Sequence, residues 1–108
     1  MANTITKNVT VASAGTPVPL GQSADELDGA ILELEIMALE ANTGDVYVGY
    51  SGVNAASKIG IVLHPGDAWS QDDDSAKVQI AGRYLSEFFV DADTTGDGVT
   101  IVARLTNG

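Results

Sequence analysis

The chain has 108 residues, of which 44% are hydrophobic, and a formal net charge of -10 from 15 acidic and 5 basic residues. This length predicts one domain with a packed core. The negative charge repels phosphate groups, so neither nucleic acid nor an anionic membrane surface is expected as a partner. The sequence contains no cysteine, which excludes disulfides, thiolate metal sites and cysteine nucleophiles. No apolar stretch is long enough to span a bilayer and no signal peptide is visible, so synthesis in the cytosol is expected.

The first predicted element is a half-buried strand over residues 4–11. Two sets of residues alternate along it: apolar Ile5, Val9 and Val11, and polar Thr4, Thr6 and Thr10. Residues 1–20 therefore predict an edge strand or an N-terminal arm. Pro17 and Pro19 exclude a central strand there, because proline has no backbone N–H to donate to a ladder.

Residues 23–41 fit either a helix or a strand. A capping box at Ser23 and Glu26, followed by apolar residues at helical spacing, favours a helix. The I-L-E-L-E-I alternation over residues 31–36 favours a strand. Because the surrounding sequence has β character, we expect a strand over residues 30–39.

The pattern of the remaining residues predicts short strands separated by turns. Strands are predicted at residues 46–50, 59–63, 67–70, 78–80, 85–91 and 99–105. Residues 71–75 predict an acidic loop, and T-G-D-G at 95–98 predicts a hairpin turn. Short strands at near-regular spacing are typical of an all-β domain. We expect residues 1–108 to form one small antiparallel β-sandwich, jelly-roll-like in its architecture.

Two polar features are candidate chemical sites. His64 is the only histidine, and no sequence cue brings a serine or carboxylate beside it, so a turn residue is favoured over a general base. Asp91, Asp93 and Asp97 have the spacing of a calcium loop. The sequence has Val102 where such a loop needs a bidentate glutamate, which favours a turn. No catalytic residues, metal or cofactor are therefore expected.

Two regions together resemble a family. The segment N-T-G-D-V-Y-V-G at residues 42–49 is followed by L-H-P-G-D at 63–67, and the later V-D-A-D and G-D-G-V-T begin at Val90 and Gly96. This combination resembles a group of small virion proteins of tailed bacteriophages. The resemblance covers residues 31–105. It implies a small β protein of the phage particle, from a family without catalytic residues.

The resemblance leads us to expect a decoration or cement protein, bound to the major capsid protein on the outside of the head and not an enzyme. A homo-oligomer, dimer or trimer, is expected, made in the host cytoplasm. The contact residues are expected in the β-branched strand and the semi-rigid proline segment: Thr4, Ile5, Thr6, Val9, Val11, Pro17 and Pro19. The alternative is a tail or tip module that contacts a host glycan or protein. Such a module needs an exposed aromatic platform, for which Trp69 and Tyr84 are the candidates.

Overall fold

The computed structural model describes residues 2–21, 29–72 and 84–106. Within these ranges the chain forms eight strands and one 3-10 helix. The elements are β1 (Ala2–Thr10), β2 (Val18–Pro19), β3 (Ile31–Ala38), β4 (Val46–Gly49), β5 (Ile61–Leu63), β6 (Ala68–Asp72), the 3-10 helix (Leu85–Glu87), β7 (Phe89–Ala92) and β8 (Gly98–Thr106). The predicted strand over residues 30–39 is confirmed as β3, while the capping-box residues Ser23 and Glu26 lie outside the described ranges.

The strands form two antiparallel sheets, ordered β1-β8-β3-β6 and β2-β7-β4-β5. Four of the pairs join β1 with β8, β2 with β7, β3 with β6, and β4 with β5. This is the pattern of one long antiparallel hairpin that has been folded over on itself, which is the double-sheet jelly roll. The predicted fold class, an all-β antiparallel sandwich of jelly-roll type, is confirmed.

The core lies between the two sheets and follows the period-two alternation of the strands. On β8 the residues that face it are Val99, Ile101, Ala103 and Leu105. A register shift between Ile31 and Glu33 in the β3–β8 ladder marks a bulge. Because of that bulge, Ile31 is buried together with Leu34 and Ile36, although it breaks their simple alternation.

The outer face of the second sheet has its own small apolar cluster. Tyr47 of β4 is buried there against Val53 and Ala55, with Phe89 of β7 packed beside them. Val53 and Ala55 belong to the long connection between β4 and β5, which folds back over the sheet. This cover is what buries an outward-facing tyrosine.

Three sequence predictions need correction. Residues 85–87 form a 3-10 helix instead of the start of a strand, and Gln71 and Asp72 belong to β6 instead of an acidic loop. Residues 95–98 do not close a hairpin, because β7 lies in the second sheet and β8 in the first. Their turn chemistry is local, whereas the sheet that each strand joins is decided by long-range packing. The strand predicted at 78–80 lies outside the described residues.

Candidate functional site

Four connections between the sheets meet at one end of the sandwich, which we call the loop end: residues 11–17, 39–45, 64–67 and 93–97. Backbone hydrogen bonds join them. Val11 donates to the carbonyl of Asp97, and Gly96 donates back to the carbonyl of Val11, both at 2.9 Å. Gly66 donates to the carbonyl of Ala38 at 3.0 Å. The loop end is therefore a connected structure and not four independent loops.

Asp97 organises the loop end through its carboxylate. The backbone N–H groups of Thr43 and Gly44 donate to its Oδ2 at 3.0 and 2.8 Å, and Thr43 also lies 3.0 Å from Oδ1. The residue is nearly buried. A carboxylate that accepts backbone N–H groups in this way fixes a turn whose donors would otherwise lack partners.

Asp91 performs a similar task between other segments. It is fully buried on the outer face of the second sheet. Its Oδ1 accepts from the N–H of Gly15 at 2.9 Å, and its Oδ2 accepts from the N–H of Ala55 at 2.8 Å. One carboxylate thus ties the loop end to the β4–β5 connection.

Asp93 contributes to a third, more exposed group. The hydroxyl of Tyr47 donates to its Oδ2 at 3.2 Å, and Lys58 Nζ lies 3.9 Å from its Oδ1. Lys58 also donates to the Tyr47 hydroxyl at 3.2 Å. That hydrogen bond and then the charge of Asp93 raise the pKa of Lys58. The group joins the β4–β5 connection to the start of the β7–β8 turn.

The three aspartates considered as calcium ligands thus point to different partners. Asp91, Asp93 and Asp97 each join separate segments, and the structure does not bring them into one ligand set. Within residues 2–21, 29–72 and 84–106, no group of three or more histidine, cysteine, aspartate or glutamate side chains is placed to hold a metal ion. Asp93 and Asp97 lie in the turn between the sheets, whereas Asp91 belongs to β7.

His64 has a carboxylate neighbour that the sequence did not reveal. Its Nδ1 lies 2.6 Å from Oδ1 of Asp45, 19 positions away in the chain. The hydrogen bond to Asp45, and then the charge of that carboxylate, raise the pKa of the imidazole. Both residues flank turns of the loop end, so the pair holds two connections together. Val46 follows Asp45 and Leu63 precedes His64, and these two neighbours pair across β4 and β5. A prediction of that strand pairing would have placed His64 beside Asp45.

The two segments that carry the family resemblance are joined at this end. Residues 42–45 contact the turn 93–97 through Asp97, and the side chain of Asn42 bonds the backbone of Gly98. The P-G step supplies a turn of its own. The N–H of Asp67 bonds the carbonyl of His64 at 2.8 Å, and Gly66 has φ +87°, a value that favours glycine. The motif residues thus build the loop end.

The predicted contact strand is an integral part of the fold. β1 pairs with β8 along its whole length, from Ala2 to Thr10. Ile5 and Val9 pack against the core, and Val11 is fully buried, so these side chains are not a free contact surface. Thr4 and Thr6 are exposed. Of the two alternatives expected for this region, the structure shows the edge strand for β1 and not a detached arm, so deletion of residues 2–11 would remove a strand.

Pro17 and Pro19 lie at or beside β2, the edge strand of the second sheet. Both are half-buried. β2 has two residues, pairs with β7, and is extended by the N–H of Leu20 donating to the carbonyl of Phe88 at 2.8 Å. The proline segment is therefore held by backbone hydrogen bonds at the edge of the second sheet.

The two aromatic residues expected to form a glycan platform differ in exposure. Trp69 is half-buried and packs against the main core, although Tyr84 is exposed. A different shallow depression of about 290 Å³ is lined by Tyr50, Ser51, Glu87 and Phe89. The Tyr50 ring lies 4.8 Å from that of the buried Phe88. Most of the aromatic residues thus serve packing.

Comparison with known proteins supports the fold assignment. No protein-family model matches the chain, and no curated protein matches it. A solved subunit of Bacillus endospore appendages, described as a family of disulfide-linked pili, is similar over 100% of this chain and 88% of its own, with a TM-score of 0.54 and 14% identity. The coat protein of tobacco streak virus, solved as a dimer, aligns over 99% of this chain and 86% of its own, with a TM-score of 0.48 and 11% identity. At 14% identity the likeness to the pilus subunit concerns the fold alone.

Among the residues that the structure describes, no helix is long and apolar enough to cross a membrane.

Proposed function

We propose that this protein is a structural component of a tailed-bacteriophage particle, and specifically a decoration or cement protein on the outside of the head. The observation that carries the proposal is that the two resembling segments, residues 42–49 and 90–100, contact each other: β4 pairs with β7, and residues 42 and 44 bond residues 97 and 98 at the loop end. Segments that resemble one family and also form one structural unit support common descent more strongly than separate short motifs do. The jelly roll is an architecture that viral capsid domains use.

The charge distribution is compatible with a position outside the head. The chain carries a net charge of -10, so contact with packaged DNA would be unfavourable. Asp91 and Asp97 are used internally, where they accept backbone N–H groups. Because such carboxylates serve the fold, we propose a binding protein and not an enzyme.

The partner in this proposal is the major capsid protein. Binding to an assembled lattice, and not to separate subunits, stabilises the assembly by mass action. Contacts that repeat over many lattice positions add to one another through multivalency. The rigid proline segment at Pro17 and Pro19 is the proposed contact surface, because a surface that is already ordered loses little entropy on binding.

The test is to mix purified protein with heads that lack it and to measure the protein that sediments with them. We expect saturable binding at a fixed ratio to capsid subunits, and heads that survive heating better once they are saturated. Heads that already carry the protein are the control and should take up no more. Absence of binding to the deficient heads, or binding without a fixed ratio, would contradict a decoration role.

A further inference from the structure

The outer edge of β1 differs from the other sheet edges of the described sandwich. The edge strands are β1 and β6 in one sheet and β2 and β5 in the other. β2 has two residues and a proline, β5 has three residues, and β6 has five and ends at Asp72. β1 has nine residues in continuous register with β8, with no proline and with Lys7 as its one charged residue. Short strands, prolines and charges are the usual means of blocking edge-to-edge pairing. β1 has only the charge of Lys7, and it is the longest of the four edge strands.

The backbone N–H and C=O groups of β1 that point away from β8 belong to its even-numbered residues. Gly98, which pairs with Thr10, directs its N–H to Asn42 and its carbonyl to the N–H of Leu39, both on the side away from β1. Thr10 is therefore a non-hydrogen-bonded partner within the β1–β8 ladder, and its own N–H and carbonyl point away from β8. Because the direction of the backbone groups alternates along a strand, the N–H and carbonyl groups of Thr4, Thr6 and Asn8 also point away from β8. The side chains of these three residues are exposed.

The sequence of β1 fits an antiparallel copy of itself. A two-fold axis at Thr6, the middle of Ala2–Thr10, pairs every residue of the strand and leaves no overhang. Thr6 then faces Thr6 of the second copy, and Thr4 faces Asn8. These are uncharged pairs of residues that can exchange hydrogen bonds. Lys7 faces Ile5 in this register, whereas an axis at Lys7 would place two lysines directly opposite each other.

We infer that β1 is a self-association surface, through which two copies of this chain pair antiparallel about a two-fold axis at Thr6. The four-stranded sheets of the two copies then form one continuous eight-stranded sheet. The pairing brings two strongly acidic chains together along a strand that has no acidic residue of its own. An isologous contact of this kind closes after two copies, so it yields a dimer and not a fibre. The inference does not depend on a role in a phage particle.

A charge-swap experiment tests this inference, with sedimentation equilibrium as the measurement. The wild-type protein is studied up to about 1 mM, because a contact made by one pair of strands is small and weak. The wild-type protein is expected to show a reversible equilibrium between monomer and dimer. Thr6→Asp and Thr6→Lys each place like charges opposite each other at the axis and should weaken the dimer about tenfold or more. An equal mixture of the two variants should dimerise at least as well as the wild type, because opposite charges then meet.

Ser70, exposed on the opposite edge strand β6, provides the matched control. Ser70→Asp and Ser70→Lys should leave the dimer unchanged, and circular dichroism shows whether each variant keeps the wild-type fold. A wild-type protein that is monomeric over the whole range overturns the inference, as does a trimer or a dimer that is insensitive to both Thr6 variants. Monomeric protein whose binding to heads is lost in both Thr6 variants would assign the edge to a strand of another protein instead.

Discussion

The side-chain amide of Asn42 pairs with the backbone of Gly98 as a neighbouring strand would. Asn42 Nδ2 donates to the carbonyl of Gly98 at 2.8 Å, and the N–H of Gly98 donates to Asn42 Oδ1 at 3.0 Å. β3 ends at Ala38, so the side chain continues its pairing with β8 beyond the strand. This gives a physical reason for an asparagine at the start of the N-T-G-D segment.

Asn42→Asp should destabilise the protein, although the two side chains have the same shape. The aspartate cannot donate to the Gly98 carbonyl and sets a carboxylate oxygen against it, for an expected loss of about 1–3 kcal/mol in the free energy of unfolding. Urea unfolding measures this loss. Asn8→Asp, at an exposed position of β1, should change the free energy of unfolding by less than about 0.5 kcal/mol when it is measured on dilute protein, in which the weak β1 contact is dissociated. Equal effects of the two substitutions would show that the Asn42 pairing contributes nothing.

Gly98→Ala should be among the most damaging glycine substitutions in the chain. A Cβ added there would overlap the carbonyl oxygen of Val9 and lie 3.0 Å from the Cα of Thr10, both of which are backbone atoms of β1. We expect a loss of about 2–4 kcal/mol in the free energy of unfolding, because the strands must separate. Gly52→Ala meets nothing within 4 Å and is the control, with little change or a slight stabilisation expected. A neutral Gly98→Ala would contradict the close approach of β1 and β8.

The sequence predicts a strand correctly where the pattern within that segment is sufficient to identify it. The alternation over residues 31–36 predicted β3, and the strand predicted at residues 99–105 is β8. Local signals could not show that β7 and β8 belong to different sheets, so the turn between them was predicted as a hairpin. A short apolar run also predicted a strand at residues 85–87, where a 3-10 turn leads into β7.

The polar contacts of the loop end were beyond sequence reasoning for a different reason. The bond from Thr43 to Asp97 spans 54 positions, and it exists because a jelly roll brings connections that are distant in the chain to one end. Asp97 was identified by its spacing to Asp91 and Asp93, which is also what a turn requires. Residue type and spacing therefore located the important carboxylates but not their partners.

Asp97→Ala should destabilise the loop end by about 2–4 kcal/mol, because the N–H groups of Thr43 and Gly44 lose a charged acceptor. Asp97→Asn keeps one acceptor oxygen, so roughly half of that loss is expected. Asp93→Asn, at an exposed position where the Tyr47 hydroxyl can still donate, is the control and should be nearly neutral. Chemical denaturation compares all three. Asp97→Ala as mild as Asp93→Asn would mean that other groups hold the turn.

The His64–Asp45 pair predicts a pH-dependent contribution to stability. Asp45 raises the pKa of His64 above its ordinary value of 6.5 in the folded protein, so protonation favours folding. The contribution is fully present below about pH 6.5, the unfolded pKa, and is lost as the pH rises through the folded pKa. The Tm difference between wild type and His64→Gln should therefore shrink from acidic to alkaline pH. A difference that is independent of pH, or that grows as the pH rises, would contradict this assignment, and Asp45→Asn should remove the effect.

The central claim is that this chain decorates the outside of a phage head, and an electron-microscopy reconstruction of the particle that carries it tests this most directly. We predict density of a small two-sheet sandwich at regular positions on the outer surface of the head, in contact with the major capsid protein and absent from particles that lack this chain. Density for the sandwich at the tail tip, inside the head, or nowhere on the particle would contradict the claim.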